Sequence, residues 1–449
     1  MNPELRRNLW LEISMHRLIA MPAVLGLGFV VIASLGKSDW REGVAWTAAM
    51  VFFALTLFWG ARLAGEAISD EVRGKTWDLQ RMSAIPPWSM TWGKLLGATL
   101  FTWYGGLICL MAFLYASLSM SAPRFGGIKG VIALAACGVL LHAAAMAATL
   151  QAAQKGWVAT NRWSTFMLVL LLLMIGPGLS SFATQNEMLS WYGIEMAHLD
   201  FITASLVVFA AWAVFGAYRA MCQELQLRTT PWAWGAFALF LTGYFAGFAL
   251  SRPSASGNAL SYVCVSGLMV SSVLTYIILF SEPTGPMVLR RILLRLRVRQ
   301  WRRVFEEMPC WPVTFALSVL FALGSMTAAG TLETGSDDWL HKAAAMPLVF
   351  VFLLARDIAI LLFFSFAKQA RRAEATAVLY IVLLYWLLPG IFNMMDLNVV
   401  AEIILPVLMD SAMGILVAAL QAAGVIALCV ARWRRNFAGE KNGGMVSAA

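Results

Sequence analysis

The sequence predicts an all-α integral membrane protein, on three observations. Of the 449 residues, 60% are hydrophobic and only 13% are charged. The mean hydropathy is +0.74, which is more apolar surface than a water-soluble core can bury. The apolar residues also fall into twelve runs, each close to the ~20 residues that a helix needs to cross a bilayer. We therefore expect about twelve transmembrane helices.

The twelve predicted spans are separated by loops whose charge alternates. Loops on one side are rich in Lys and Arg, whereas loops on the other side are mostly acidic. Because basic loops stay in the cytoplasm, this pattern places both termini there and predicts the inner membrane of a bacterium. Eleven or thirteen spans would put a basic loop outside. The predicted spans are approximately 17–36, 43–65, 95–119, 127–153, 163–183, 200–218, 231–251, 259–281, 312–331, 343–367, 374–395 and 411–431.

The chain before the first span has its own pattern. Leu5, Leu9, Ile13 and Arg17 recur at four-residue spacing, which predicts that residues 1–16 form a helix along the inner membrane interface. A frayed charged tail is the alternative, since short helices are marginally stable. No small-residue cleavage site follows the first apolar run, so we expect an anchor that is retained rather than a signal peptide.

Landmarks recur between the two halves of the chain. Predicted span five ends in LLLMIGPG (171–178) and span eleven in LLYWLLPG (383–390), and both precede an outer segment of mixed apolar and acidic residues. Six spans is an even number, so two such halves would share one orientation. The prediction is a first half at 1–228 and a second half at 229–449. Each half would carry a hydrophilic cytoplasmic island, at 66–94 and 282–311.

The first island is the most informative part of the sequence, because it is far longer than a simple turn requires. It contains, in this order, Glu71, Gly74, Thr76, Asp78, Leu79, Gly93 and Lys94. This order of residue types is similar to that of the permease subunits of type-2 ATP-binding-cassette (ABC) exporters between their second and third spans. The chain departs from that pattern at Lys75, an insertion, and at Ala84, where the family usually has Pro.

The resemblance implies a permease that moves an amphipathic, lipid-like or drug-like substrate outward. It also implies two cytoplasmic ATPase subunits as partners, and allows an additional membrane or periplasmic subunit. ATP and Mg would be bound by those partners, so no cofactor and no enzyme activity are expected in this chain. The residues expected to dock the ATPases are Glu71, Gly74, Thr76, Asp78, Arg81, Gly93 and Lys94 in the first island, and Trp301, Arg302, Arg303 and Glu306 in the second.

Local chemistry suggests how the first island is shaped. Thr76 or Ser69 could cap a helix start, and the PPW at 86–88 should break the helix before it restarts at Gly93. The result would be a short helix lying across the membrane face. A solvated loop is the alternative. The only GKT, at 74–76, has Ser69 where a P-loop needs its first Gly, so no nucleotide-binding loop is predicted.

Two other classes of function remain open. A secondary transporter of the major-facilitator type also has twelve spans, and its signature between spans two and three is partly imitated here. However, Asp70 lies one residue too far from Gly65, and Glu71 stands where a base belongs. A membrane-embedded lipid-linked transferase is the second alternative, resting on Glu195, His198 and Asp200. The residues that imitate the major-facilitator signature are Gly65, Asp70, Arg73, Gly74 and Lys75.

The remaining polar features have structural interpretations. His142 is expected to be a packed, hydrogen-bonded residue rather than a proton relay. Arg356 and Asp357, adjacent in span ten, could stabilise the bundle as buried ionic groups or line a polar passage, and the structural role is favoured. Each is expected to find a partner elsewhere, since neighbours on a helix do not face each other. Six scattered cysteines predict neither disulfides nor a metal site. The net charge of +9 follows the loops between spans, so no nucleic-acid partner is expected, and 290–303 could lie on anionic lipid or dock an ATPase.

Overall fold

A computed structural model confirms an all-α membrane protein. The described residues contain ten helices long and apolar enough to cross a membrane, or eleven if one bent pair counts as a single span. Predicted span 163–183 lies outside the described residues, so the count of twelve stays a prediction. The structure describes residues 2–12, 14–35, 40–83, 85–120, 126–155, 188–227, 229–251, 259–282, 285–329, 338–367, 373–409 and 411–437.

The chain divides into two compact units. The first comprises 1–190 and 195–229, and the second comprises 191–194 and 230–449. Six helices in each half remain a prediction.

The first unit is built from long apolar helices with short helices between them. The third predicted span is interrupted at Ala98 and Thr99, where one helix ends and the next begins. Its elements are α1 (Pro3–Glu12), α2 (Met15–Leu35), α3 (Trp40–Phe52), a π-helical segment (Phe53–Gly60), α4 (Ala61–Arg73), α5 (Trp77–Arg81), α6 (Pro87–Gly97), α7 (Leu100–Leu118), α8 (Ile128–Gln154), strands β1 (Met188–Trp191) and β2 (Ile194–Ala197), and α9 (His198–Glu224).

The prediction that His142 is packed and hydrogen-bonded is confirmed. Its ring is buried, and Nε2 lies 2.8 Å from the carbonyl oxygen of Thr56. Thr56 belongs to the π-helical segment, where the regular i to i−4 pattern is interrupted. Trp103 packs edge-on against the imidazole at 5.5 Å. His142 therefore provides a hydrogen-bonding partner for a carbonyl in the middle of the second span.

The second unit is also built from long apolar helices with short helices between them. Its hydrophilic island contains α12 and α13, and α13 is bent by 96° from the helix that follows. Its elements are α10 (Trp232–Leu250), α11 (Ala259–Ser281), α12 (Pro286–Arg297), α13 (Trp301–Glu307), α14 (Trp311–Ala329), α15 (Asp338–Ser365), α16 (Ala373–Val382), a π-helical turn (Leu383–Leu387), α17 (Leu388–Met394), α18 (Asn398–Ile404), a 3-10 turn (Pro406–Leu408) and α19 (Ser411–Phe437).

Candidate functional site

The described residues of the first island lie mainly on three helices, α4, α5 and α6. Helix α4 continues the second span as far as Arg73, and Lys75 then takes a left-handed backbone conformation with φ of 55°. After α5, Pro86 is extended and α6 begins at Pro87. The prediction that the helix restarts at Gly93 is therefore wrong. Pro is favoured in the first helical turn because its missing N–H is not needed there.

The predicted helix caps are also wrong. Thr76 does stand at the position before α5, but its side chain makes no capping bond. Its hydroxyl instead donates to the carbonyl oxygen of Glu71 at 3.3 Å. Ser69 lies inside α4 and donates to the carbonyl oxygen of Glu66 at 3.3 Å. Both hydroxyls thus bond backward to carbonyls, as Ser and Thr often do within and after helices.

The carboxylate of Glu71 joins three other elements. Its Oε1 accepts a hydrogen bond from Arg7 Nη2 of α1 at 2.9 Å, and another from Gln80 Nε2 of α5 at 2.6 Å. Its Oε2 accepts from Lys94 Nζ of α6. Charge-assisted bonds of this kind are the stronger ones in proteins. Glu71 therefore fixes α1, α5 and α6 to the end of α4.

Lys94 lies inside this network. The residue is only 2% exposed, and its ammonium lies 5.3 Å from the centre of the Trp77 ring. Burial lowers the pKa of Lys94, and the nearby Glu71 carboxylate opposes that shift without overcoming it. The ion pair and the lowered pKa are compatible, because desolvation of the ammonium costs more than the pairing returns. Lys94 is thus an internal residue of the island.

Helix α1 packs on α6 at two glycines four residues apart. A Cβ at Gly93 would lie 2.5 Å from Glu4 Cβ, so only glycine allows this approach. The Asn8 Nδ2 group donates to the carbonyl oxygen of Gly93 at 3.4 Å, and a Cβ at Gly97 would meet the same Asn8 side chain. Small residues at this spacing let two helices approach closely. The predicted N-terminal helix exists, but it ends at Glu12 and uses polar residues for this contact.

The inner side of α5 is anchored by a second acidic residue. Trp77 is buried and its Nε1 donates to Glu224 Oε1 of α9 at 3.0 Å. Arg81 Nη1 lies 3.6 Å from the same Glu224 oxygen and 3.6 Å from Asp78 Oδ1. Two of the five residues of α5 therefore converge on one buried carboxylate.

The outer side of α5 is open. The Asp78 side chain is 81% exposed, and the neighbouring Leu79 and Met82 are 68% and 76% exposed. Gly74 and Thr76 are exposed beside them. Of the residues predicted to dock an ATPase in this island, the structure thus brings Gly74, Thr76 and Asp78 to the surface; Glu71, Gly93 and Lys94 lie beneath it, and Arg81 is half-buried.

The second island presents a similar mixture. Trp301 is 57% exposed, and Arg302 and Arg303 are exposed beside it. Arg302 Nε donates to Glu306 Oε1 at 3.3 Å. Helix α13 is held by buried Val304 and by an ion pair between Arg295 of α12 and Glu307. All four predicted residues of this island lie on one short helix.

Sequence reasoning missed the residues that support α5. The sequence assigns Glu224 to no site, because a single acidic residue at the end of a span belongs to no recognisable motif. Gln80 was overlooked because it lies next to the more conspicuous charges. The spacing of Gly93 and Gly97 was a signal that could have been found, since GKLLG is a small-xxx-small pattern.

The alternative sites look different in the structure. Asp200 Oδ1 is paired with Lys129 Nζ at 2.5 Å, and Glu195 is exposed. The prediction that Arg356 and Asp357 cannot face each other is wrong, because Arg356 Nε donates to Asp357 Oδ1 at 3.1 Å. A long guanidinium side chain can fold back along the helix to reach its neighbour.

Comparison of the chain with protein-family models, with curated proteins and with solved structures found no match. The long apolar helices define the protein as an all-α integral membrane protein.

Proposed function

We propose that this protein is the membrane-spanning permease of an ATP-driven exporter of the ABC type. Helix α5, and with it α13, would be the coupling helices on which two cytoplasmic ATPase subunits act. The substrate would be an amphipathic, lipid-like or drug-like molecule moved outward. The charge of the loops supports placing both islands and both termini in the cytoplasm of a bacterium.

The observation that carries this proposal is the two-sided character of α5. One side is fixed to α9 through Trp77 and, by way of Gln80 and Glu71, to α1, α4 and α6. The other side exposes Asp78, Leu79 and Met82. A helix that only had to turn the chain would need neither a buried anchor nor exposed large apolar residues. Exposed apolar groups with a charged rim are typical of protein docking surfaces.

The fixed side also supports transmission of force. A push on α5 would reach the spans through hydrogen bonds to the carboxylates of Glu71 and Glu224. Glu71 lies at the end of the second span, and Lys94 lies just before the third. Both spans would therefore move with α5.

The first test is copurification of a tagged chain with a stoichiometric ATPase, followed by a test of the surface. The double variant Leu79→Asp/Met82→Asp should abolish stimulation of the ATPase by the permease while leaving the permease folded. Ile194→Asp is the matched control, since Ile194 is an apolar residue of β2 that is 60% exposed and is expected on the opposite side of the membrane. Reversal of Arg81 is a poorer test, because it would also remove a partner of buried Glu224.

Two outcomes would contradict the proposal. One is unchanged ATPase stimulation in the Leu79→Asp/Met82→Asp variant. The other is uphill transport by the purified chain in sealed vesicles with an ion gradient and no nucleotide. The second outcome would favour an ion-coupled carrier, which is the alternative that the buried Arg356 and Asp357 of α15 support.

A further inference from the structure

The hydrophilic island of the second unit carries more positive charge than its own acids can neutralise. Residues 285–310 include seven arginines and two glutamates. Glu307 is paired with Arg295, and Glu306 is paired with Arg302. Within the part of the chain that the structure describes, three exposed arginines have no acidic partner: Arg291, Arg297 and Arg299. This surface therefore carries positive charge that the chain itself does not compensate.

The island is fixed at the ends of two apolar helices. Glu282, directly after α11, accepts a hydrogen bond at 2.8 Å from the backbone N–H of Cys310, directly before α14. Helix α13 is bent by 96° from α14 and thus lies across the axis of that helix. Near the end of α12, Arg295 pairs with Glu307 of α13 and donates to the carbonyl oxygen of Arg303 at 3.4 Å. Both ends of α12 are therefore held close to the level at which the apolar helices end, which is the bilayer surface.

The outward face of α12 carries an apolar stripe. Met287, Leu294 and Val298 are 67%, 52% and 67% exposed, and at ~3.6 residues per turn they fall on one face of the helix. The same periodicity places Arg291 on one side of the stripe and Arg297 on the other, and both are exposed. A helix of this kind lies in the membrane interface, because its apolar side chains enter the acyl region while its guanidinium groups stay at the headgroups.

We propose that α12 binds anionic phospholipids of the leaflet at which α11 ends. Met287, Leu294 and Val298 lie among the acyl chains, and Arg291 and Arg297 bind the phosphate groups. A zwitterionic lipid would cover the apolar stripe but would leave the positive charge uncompensated, so charge selects the anionic lipid. Guanidinium also matches phosphate geometrically, since it can donate two parallel hydrogen bonds. The surface includes none of the residues assigned to ATPase docking, so it goes beyond the proposed function and does not depend on it.

The test measures which lipid surrounds α12 in the full-length protein. An NBD fluorophore is attached at Leu293→Cys, beside the stripe but outside it; the six native cysteines are buried, so the label reacts at residue 293. The protein is placed in nanodiscs of a fixed mixture of phosphatidylcholine and phosphatidylglycerol, and a quenching nitroxide is carried on the acyl chain of one lipid or of the other. We expect phosphatidylglycerol to be preferred at least about fivefold over its share of the mixture, the preference that one basic residue near an anionic surface supplies.

Two variants in the labelled protein separate charge from apolar contact. Arg291→Gln/Arg297→Gln should abolish the preference for phosphatidylglycerol, while quenching by labelled phosphatidylcholine persists because the stripe is intact. Met287→Asp/Leu294→Asp should instead reduce quenching by both lipids, since it removes the apolar contact. The matched control is Arg434→Gln/Arg435→Gln, which removes the same charge from two exposed arginines at the end of α19 and should leave the preference unchanged.

Three outcomes would overturn the proposal. Quenching by the two lipids in proportion to their amounts would show apolar contact without selection of anionic lipid. Absence of quenching by either lipid would show that the face of α12 stands in water, where a protein partner could cover it. An equal loss of preference in the α19 control would assign the effect to net charge rather than to α12. The assay contains no ATPase and no nucleotide, so its result is independent of coupling through α5.

Discussion

Glu71 and Lys94 form a pair whose two members should contribute unequally to stability. If Glu71 is changed to Gln, Lys94 keeps its charge at 2% exposure but loses its hydrogen-bonded carboxylate, and only the more distant Glu4 carboxylate and the Trp77 ring remain to favour the charge. If Lys94 is changed to Met, Glu71 keeps Arg7 at 2.9 Å and Gln80 at 2.6 Å. The second change leaves no charge uncompensated. Glu71→Gln should therefore be the more damaging of the two.

The magnitudes follow from the contacts. Leaving one buried partner of an ion pair alone costs about 3–5 kcal/mol, which is the expectation for Glu71→Gln. Lys94→Met loses one charge-assisted bond of about 1.5–3 kcal/mol but relieves a cost of burying the ammonium that is at least as large, so we expect little net change, within about 1 kcal/mol. The double variant should cost at least about 2 kcal/mol less than Glu71→Gln alone, since the buried ammonium that Glu71→Gln leaves without its carboxylate is also removed. A coupling energy of at least about 1 kcal/mol is then expected.

The measurement is the free energy of unfolding of the four proteins in mixed micelles, assembled as a double-mutant cycle. Equal destabilisation by the two single variants, or additive effects in the double variant, would refute the network described for Glu71. Retention of ATPase stimulation at temperatures below unfolding would separate a stability effect from a coupling effect.

The pH dependence of the same cycle gives a further check. Burial lowers the pKa of Lys94 in the folded protein below its ordinary value of 10.5. Between the folded and unfolded pKa values the unfolded chain binds more protons, so stability rises with pH in that window. The stability of the wild type relative to Lys94→Met should therefore increase as the pH approaches 10.5 from below. A decrease over that range would contradict the cost assigned to burial of the ammonium.

Three other changes test the supports of the island. Gly93→Val should separate α1 from α6 and destabilise the protein by more than about 2 kcal/mol. The matched control is Gly28→Val, because nothing lies within 4 Å of a Cβ at Gly28. Thermal unfolding in detergent compares the two variants. Lys75→Gly should be neutral or stabilising by up to about 1 kcal/mol because φ is 55° there, and Lys75→Val should destabilise; the reverse order in the unfolding midpoints would contradict the left-handed turn. Trp77→Phe should cost about 1–3 kcal/mol through the lost bond to Glu224, with increased proteolysis at α5 as the readout; protection equal to that of the wild type would argue against the anchor.

The spans could be predicted because their signal is local. An apolar run of sufficient length has to be a helix in lipid, whatever its neighbours are, so α2, α8 and α11 fall close to their predicted bounds. The same reasoning found the N-terminal helix and the existence of a short helix between the second and third spans. The same reasoning placed two helix ends wrongly. Helix α6 begins at Pro87 rather than at Gly93, and α1 ends at Glu12 rather than at residue 16.

The candidate site was harder to predict because its contacts are distant in sequence. Glu71 meets Arg7, Gln80 and Lys94, and Trp77 meets Glu224, 147 residues away. The motif that suggested docking does not distinguish a residue that faces outward from one that holds the helix in place. Burial decides this, and burial depends on α1 and α9, whose positions no pattern in the island reveals.

The packing of α1 on α6 also has a consequence for biosynthesis. Asn2 donates to the carbonyl oxygen of Ser89, so its acceptor is synthesised 87 residues later. At about 5–20 residues per second, the ribosome needs roughly 4–17 s to deliver it. During that interval two spans are inserted, and the polar face of α1 remains exposed to water at the membrane surface. We therefore expect α1 to dock late, after the helices that it contacts have assembled. In truncated nascent chains that stop before α6, α1 should be accessible to protease.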